Sequence, residues 1–354
     1  MEALEHLVNV ADFEAAAAER LEAGLLGYYA GGAGDERTLA ENVAAFGRRR
    51  LRPRVLVDVS TVTARTTVLG SEVSMPVLVA PTALHRLAHP DGEPAMARAA
   101  ADAGTIYCLS TLATSHPAEV AANAPAAPRW FQVYCLSDAA VTDALVDEAV
   151  ESGFDALVLT VDAPRAGRRE RDFRTGFAVP ADADMPAIRR ATGAPQCPTP
   201  AEFFSLVDAS LTWDAVGRLA ERGLPVVVKG IQTGEDAALA CEHGAAAIVV
   251  SNHGGRQLDS VAASIDVLPE AVEAVAGRLE VYVDGGIRRG TDVLVALALG
   301  ARAVLLGRPM LWGLTVGGEA GARRVLQLLG EELELAMTLL GTPTVSDITR
   351  SHVE

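Results

Sequence analysis

The segment Ala246-Ala247-Ile248-Val249-Val250-Ser251-Asn252-His253-Gly254-Gly255-Arg256-Gln257-Leu258-Asp259 sets a histidine and an arginine beside two flexible glycines, directly after a short apolar run. The run has no helical period and reads as a buried parallel strand. His253 and Arg256 then lie just past a strand's carboxyl end, where barrels and open α/β sheets alike bind ligands. A lone histidine in a turn is more simply bonded to backbone than reactive. The other strand ends must decide its role.

The same unit recurs from Met75 onward: a short apolar run, a polar or glycine-bearing end, then a helical segment. Strands are expected at 76–80, 105–109, 130–133, 156–161, 225–228, 246–250, 281–283 and 303–306, with alanine-rich helices such as 94–103, 139–152, 236–243 and 291–299 between them. Eight such units favour a closed (β/α)8 TIM barrel over an open doubly wound sheet and make residues 1–354 one domain. An N-terminal helical extension covers 1–74, with an amphipathic helix at 12–26, a stop at Tyr28-Tyr29-Ala30-Gly31-Gly32-Ala33-Gly34 and a second helix at 35–46. Residues 163–224 form a long loop between the fourth and fifth strands. Its stretch 180–202, with Asp182, Asp184, Pro186, Pro195, Pro198 and Pro200, has little periodicity and reads as a lid or substrate-selecting segment.

Composition narrows the function classes. The 354 residues are 50% hydrophobic but only 5% aromatic, so Ala, Val and Leu build the core. A net charge of -16 repels the phosphates of nucleic acid, and an anionic ligand would need a local basic pocket. No secretory signal opens the chain and no run has the apolar length of a membrane span. Cys108, Cys135, Cys197 and Cys241 are widely spaced, so reduced thiols in a cytoplasm are expected, without a disulfide framework or a metal site.

Reactive residues fall at one end of every strand. In chain order these ends carry Pro81-Thr82-Ala83, Ser110-Thr111, Gln132 with Tyr134, and Asp162-Ala163-Pro164-Arg165 followed by Arg168-Arg169. After them come Lys229-Gly230, the His253 stretch, Asp284-Gly285-Gly286-Ile287-Arg288 and Gly307-Arg308-Pro309. Glycines with Arg288 and Arg308 after the last two strands suit a phosphate. Lys229 is either a snorkelling lysine or a cation aimed into the site, with a Schiff base as a competing role. Asp162 could cap a turn, or could raise the basicity of His253. Arg169 and Arg256 offer two forks for one carboxylate.

These motifs together resemble the FMN-dependent L-2-hydroxy-acid-oxidising enzymes, which include glycolate and lactate oxidases. The likeness runs from Tyr28-Tyr29-Ala30 through Phe131-Gln132-Val133-Tyr134, Thr160-Val161-Asp162-Ala163-Pro164 and Val228-Lys229-Gly230 to the His253 stretch and Asp284-Gly285-Gly286. It implies FMN as cofactor and His253 as the base that takes a proton from the substrate, by a hydride or a carbanion route. It further implies Asp162 as the histidine's partner, Tyr28, Arg169 and Arg256 as the carboxylate clamp, and Tyr134 as a hydrogen-bond donor to the oxyanion. Lys229 would face the pole of the flavin where charge builds on reduction. Pro81, Thr82, Ala83, Ser110, Gln132, Thr160 and Ser251 would surround the cofactor, and Asp284, Gly285, Gly286, Arg288, Gly307 and Arg308 would border its phosphate end.

Two departures bear on the substrate: Leu112 stands where glycolate oxidase has a tryptophan, and Ala166 where it has a leucine. Both imply a roomier pocket and an acid larger than glycolate. The resemblance also implies oxygen as electron acceptor, hydrogen peroxide as product and a homotetramer. The missing cytochrome domain and membrane insertion lean the same way. A dehydrogenase passing electrons to a quinone or protein is the close alternative; an FMN-dependent isomerase and a silent flavin-binding protein are more distant ones.

Overall fold

The strands Val77–Val79, Tyr107–Leu109, Arg129–Val133, Ala156–Thr160, Val226–Ile231, Ala247–Val250, Glu280–Asp284 and Ala303–Leu306 are all parallel. They pair in chain order, and the last returns to the first to close a barrel. This is the expected TIM barrel, seen in a computed structural model that describes residues 4–180, 183–194, 196, 198 and 200–354. Asp182, Pro195 and Cys197 lie outside the described residues.

Strand alternation sorts the apolar side chains into two cores. Leu78, Ala80, Ile106, Cys108, Trp130, Ala156, Val158, Val227, Ala247, Val249, Tyr282, Ala303 and Leu305 form one cluster, which fills the barrel interior. Their strand neighbours, such as Val79, Phe131, Leu159, Val228, Val250 and Val283, pack outward against the helices in the larger cluster. A short antiparallel hairpin, Thr66–Val68 with Ser71–Val73, adds Val68 and Val73 to the interior cluster and plugs the amino-terminal end. It was not expected, since three-residue strands are too short to show a period.

Other boundaries differ locally. The expected helix at 12–26 is two helices, Val10–Arg20 and Ala23–Ala30, broken where Leu21 and Glu22 turn extended. Tyr28 and Tyr29 therefore lie inside the second helix, before its glycine stop. The fifth barrel strand continues past its expected end because the register shifts between Lys229 and Ile231 around Gly230, a β-bulge at φ 114°. A Cβ on residue 230 would lie 2.7 Å from the Asp162 Cβ, so only glycine lets the two strand ends approach. The long connection is not irregular throughout: it carries the short helices Glu170–Thr175, Pro186–Thr192, Pro200–Leu206 and Asp214–Ala220. Its aperiodic composition conceals them because each is only two turns or fewer.

Candidate active site

The same alternation that fills the barrel produces the site. Continuing each inward series by one step, after Ala80, Cys108, Trp130, Val158, Val227, Val249, Tyr282 and Leu305, gives Thr82, Ser110, Gln132, Thr160, Lys229, Ser251, Asp284 and Gly307. The apolar interior thus ends in a polar layer at the carboxyl ends of the strands. One further step of two gives Tyr134, Asp162, His253 and Gly286. Above this layer opens a cleft lined by residues from the carboxyl ends of all eight barrel strands.

His253 is held with φ 58°, a left-handed conformation that costs a non-glycine residue about 1 kcal/mol or more. Gly254 and Gly255, also at positive φ, complete the tight turn. The His253 amide donates to Ser251 Oγ at 3.1 Å, and the Asn252 carboxamide accepts from Gly255 N at 3.2 Å while bonding Asn42 at 2.8 and 2.9 Å. A Cβ on residue 255 would lie 2.6 Å from Leu39 N, so glycine also permits docking on the helix Arg37–Gly47. The imidazole Nδ1 pairs with Asp162 Oδ1 at 2.8 Å. A carboxylate acceptor fixes Nδ1 as the protonated nitrogen and leaves the Nε2 lone pair for the cleft. Burial pushes the Asp162 carboxyl up, but His253 and Lys229 outweigh it, and the net displacement is downward.

Lys229, also buried, donates to Ser251 Oγ at 3.0 Å and pairs with Asp284 Oδ2 at 3.2 Å. Burial disfavours its charge, yet Asp284 and Asp162 more than compensate, so the ammonium persists at neutral pH. Arg256 and Arg169 lie 5.0 and 5.5 Å from the centre of the Tyr28 ring. Burial and then repulsion from Arg169 push the Arg256 guanidinium down to about 10, which leaves it cationic at neutral pH; Asp172, paired with Arg169 at 3.7 Å, offsets part of that. Tyr134 is raised by burial first and by Asp162 and Tyr28 next, so its phenol stays a donor.

The residues fit a flavin mononucleotide. Gln132 Nε2, Thr160 Oγ1 and Asp284 Oδ1 are buried without a hydrogen-bond partner, an arrangement that native proteins keep for ligands or water. A planar ring with donors and acceptors at its edge would meet them, and the charged Lys229 stands in the same layer. At the other end, Arg288, Arg308 and the glycines 285, 286 and 307 line the cleft. The helix Arg308–Leu340 begins there with no side-chain cap on its first amides, leaving its positive pole for an anion. Burial first, then Arg256 and Arg288, push the Arg308 guanidinium down to about 9.

Of the residues singled out in the sequence, Tyr28, Leu112, Tyr134, Arg169, Lys229, His253 and Arg256 line this one cleft, together with Pro81, Thr82, Ala83, Ser110, Gln132, Thr160, Asp284 and the phosphate-end set. Asp162 stands behind His253. Two expectations need correction. Ala166 is exposed and does not line the cleft, because the 163–168 segment runs over its outer rim. Ser251 is fully buried beside the cleft, and its hydroxyl accepts from Lys229 and the His253 amide. Sequence reasoning missed Phe204 and Gln257, which also line the cleft, and Phe177, which stacks on Tyr28 at 5.0 Å. Phe204 lies in the helix Pro200–Leu206, edge-on to Tyr134 at 5.6 Å, and the adjacent Phe203-Phe204 pair in a polar stretch was its one visible signal.

Comparison with known proteins agrees with this geometry. The chain is 48% identical to an L-lactate oxidase from Nostoc sp. over 100% of both chains. It is 47% identical to a glycolate oxidase from Spinacia oleracea, covering 98% of this chain and 95% of the relative. A solved structure of mandelate oxidase superposes with a TM-score of 0.91 at 43% identity over 98% of each chain. Residues 17–354 match the family model described as FMN-dependent dehydrogenase, and the chain belongs to that family.

Proposed function

We propose that this chain oxidises an L-2-hydroxy acid larger than glycolate to the 2-oxo acid, with FMN as cofactor, oxygen as final acceptor and hydrogen peroxide as second product. The observation that carries the activity is the convergence of the His253–Asp162 pair with Arg169 and Arg256 beside the polar layer. Arg169 and Arg256 bind the substrate carboxylate. His253 Nε2 takes the proton that the 2-hydroxy acid gives up, by the hydride or the carbanion route, and Asp162 stabilises the imidazolium so formed. The Tyr134 phenol donates to the substrate oxygen as negative charge develops. Bound FMN supplies the two-electron acceptor. Lys229 places its charge where the reduced cofactor would need it.

The size preference rests on Leu112, which lines the cleft; Ala166 takes no part in it. The oxidase assignment is supported by relatives named lactate and glycolate oxidases. No helix among the described residues is long and apolar enough to cross a membrane. We place the protein in the cytoplasm as a homotetramer, which gel filtration with light scattering would check.

An anaerobic screen with glycolate, L-lactate, 2-hydroxyoctanoate and (S)-mandelate tests the reading, by following flavin bleaching and then admitting air. Bleaching fastest with a larger acid and prompt recolouring support it. Glycolate as the best substrate overturns the size preference, absence of bleaching overturns the activity, and slow recolouring in air points instead to a quinone or protein acceptor.

A further inference from the structure

Arg169 and Arg256 repel each other, yet they sit on different loops that must hold them together before any carboxylate arrives. The same two loops carry the two members of the His253–Asp162 pair. Besides that pair, Gln257 joins them. Its Nε2 donates to the carbonyls of Asp162 at 3.2 Å and Arg165 at 2.9 Å, and its Oε1 accepts from Gly167 N at 3.0 Å. Both amide protons and the carbonyl are thus spent on the backbone of the 162–167 segment, which fixes the orientation of the carboxamide. A reversed amide would set oxygen against oxygen.

Gly167 shows how closely the loops are docked. A Cβ there would lie 2.2 Å from Arg256 O and 2.7 Å from Gln257 Cα, backbone atoms that cannot rotate away. The next residue is tied as well, since Arg168 O accepts from Gly34 N at 2.9 Å. Arg169 follows two residues after Gly167.

We infer that Gln257 is a positioning residue: with the Gly167 dock it straps the Arg169 loop to the Arg256 turn and so pre-forms the substrate carboxylate clamp. The residue itself makes no proton transfer. Its loss lets the like-charged guanidiniums separate, so the cost falls on carboxylate binding and much less on the chemistry of bound substrate. The inference rests on the 2-hydroxy-acid reading above.

Gln257→Met keeps the length and packing of the side chain and removes all three hydrogen bonds, whereas Gly167→Ala leaves Gln257 intact and forces the loops apart. For both variants the expected result, at normal FMN content, is a KM for the best 2-hydroxy acid raised tenfold or more, with kcat within threefold of the parent. The dissociation constant of the corresponding 2-oxo acid, read anaerobically from the perturbed flavin absorbance, should rise by the same factor. That of the 2-oxo amide, which lacks the carboxylate, should move less than threefold. A Gln257→Met variant with parental KM and 2-oxo-acid affinity overturns the strap. So does a loss of kcat with KM unchanged, or equal loss for acid and amide. If Gly167→Ala does not fold, Gln257→Met decides alone, and if both fail to fold the pair is structural and the inference is wrong. A parent enzyme that turns over no 2-hydroxy acid overturns the underlying function instead, and the two failures are told apart by assaying the parent first.

Discussion

Replacing Asp162 by Asn tests the chemistry most directly. The side chain is 3% exposed, and its Oδ1 lies 2.8 Å from His253 Nδ1, so the partner of the developing imidazolium is shielded from water. With charge centres about 4 Å apart and an effective dielectric near 20, the attraction is about 4 kcal/mol. Asn preserves shape and can still accept from Nδ1, so the histidine keeps its tautomer, but the negative charge is gone. Because the imidazolium exists only once the proton has moved, the loss falls on the barrier. About 4 kcal/mol corresponds to a rate roughly 10^3 lower. Stopped-flow bleaching of the flavin at saturating substrate measures that step, and the substrate dissociation constant should change little, since Arg169 and Arg256 are untouched. Asp162 Oδ2 has no partner, so the new amide would be buried unsatisfied and should also lower stability by about 1–3 kcal/mol. A bleaching rate within tenfold of the parent, at normal FMN content, would refute the assignment of Asp162 as the charge that supports the base.

Leu112→Trp adds bulk to the cleft wall, and the efficiency ratio of (S)-mandelate or 2-hydroxyoctanoate to glycolate should fall at least tenfold in steady-state assays. Gly286→Ala puts a Cβ 1.9 Å from Asn42 O at φ 89°, so a lower melting temperature and lower FMN content at purification are expected. Lys229→Met leaves Asp284 without its cation and should cost about 3–5 kcal/mol in chemical denaturation, and adding Asp284→Asn should restore part of that loss. The folded Asp162 carboxyl lies below its ordinary value, so its contribution to stability is present above pH about 3.9 and is lost as pH falls through the folded value. Asp162→Asn should therefore unfold with a shallower acid limb than the parent, as followed by circular dichroism.

Legibility in the sequence depended on period and length. The eight barrel strands could be read because each is a short apolar run with a chemically distinct end, and runs such as 156–160 and 303–306 have no competing helical reading. The polar layer was equally legible, since Thr82, Ser110, Gln132, Thr160, Lys229 and Asp284 each follow an inward apolar residue by two positions. The lid was not. Its helices are short, and the position of Phe204 depends on the helix Pro200–Leu206 being pinned where Ser137 N donates to Leu206 O and Leu136 pairs with Val207. Ala166 was misread for the same reason, because a loop residue's direction is set by what its segment docks against.

The sequence by itself determined that eight strands alternate with helices, that reactive side chains cluster at their carboxyl ends, and that an acidic protein keeps arginines for an anion there. Those are local properties: a strand's two-residue period assigns each side chain to a face wherever the chain goes. Only the tertiary structure decided that His253 meets Asp162, that Arg169 and Arg256 flank Tyr28, and that Gln257 joins the loops carrying them. These contacts join residues about ninety or more positions apart in the chain, so they exist only once barrel closure has brought the strand ends together.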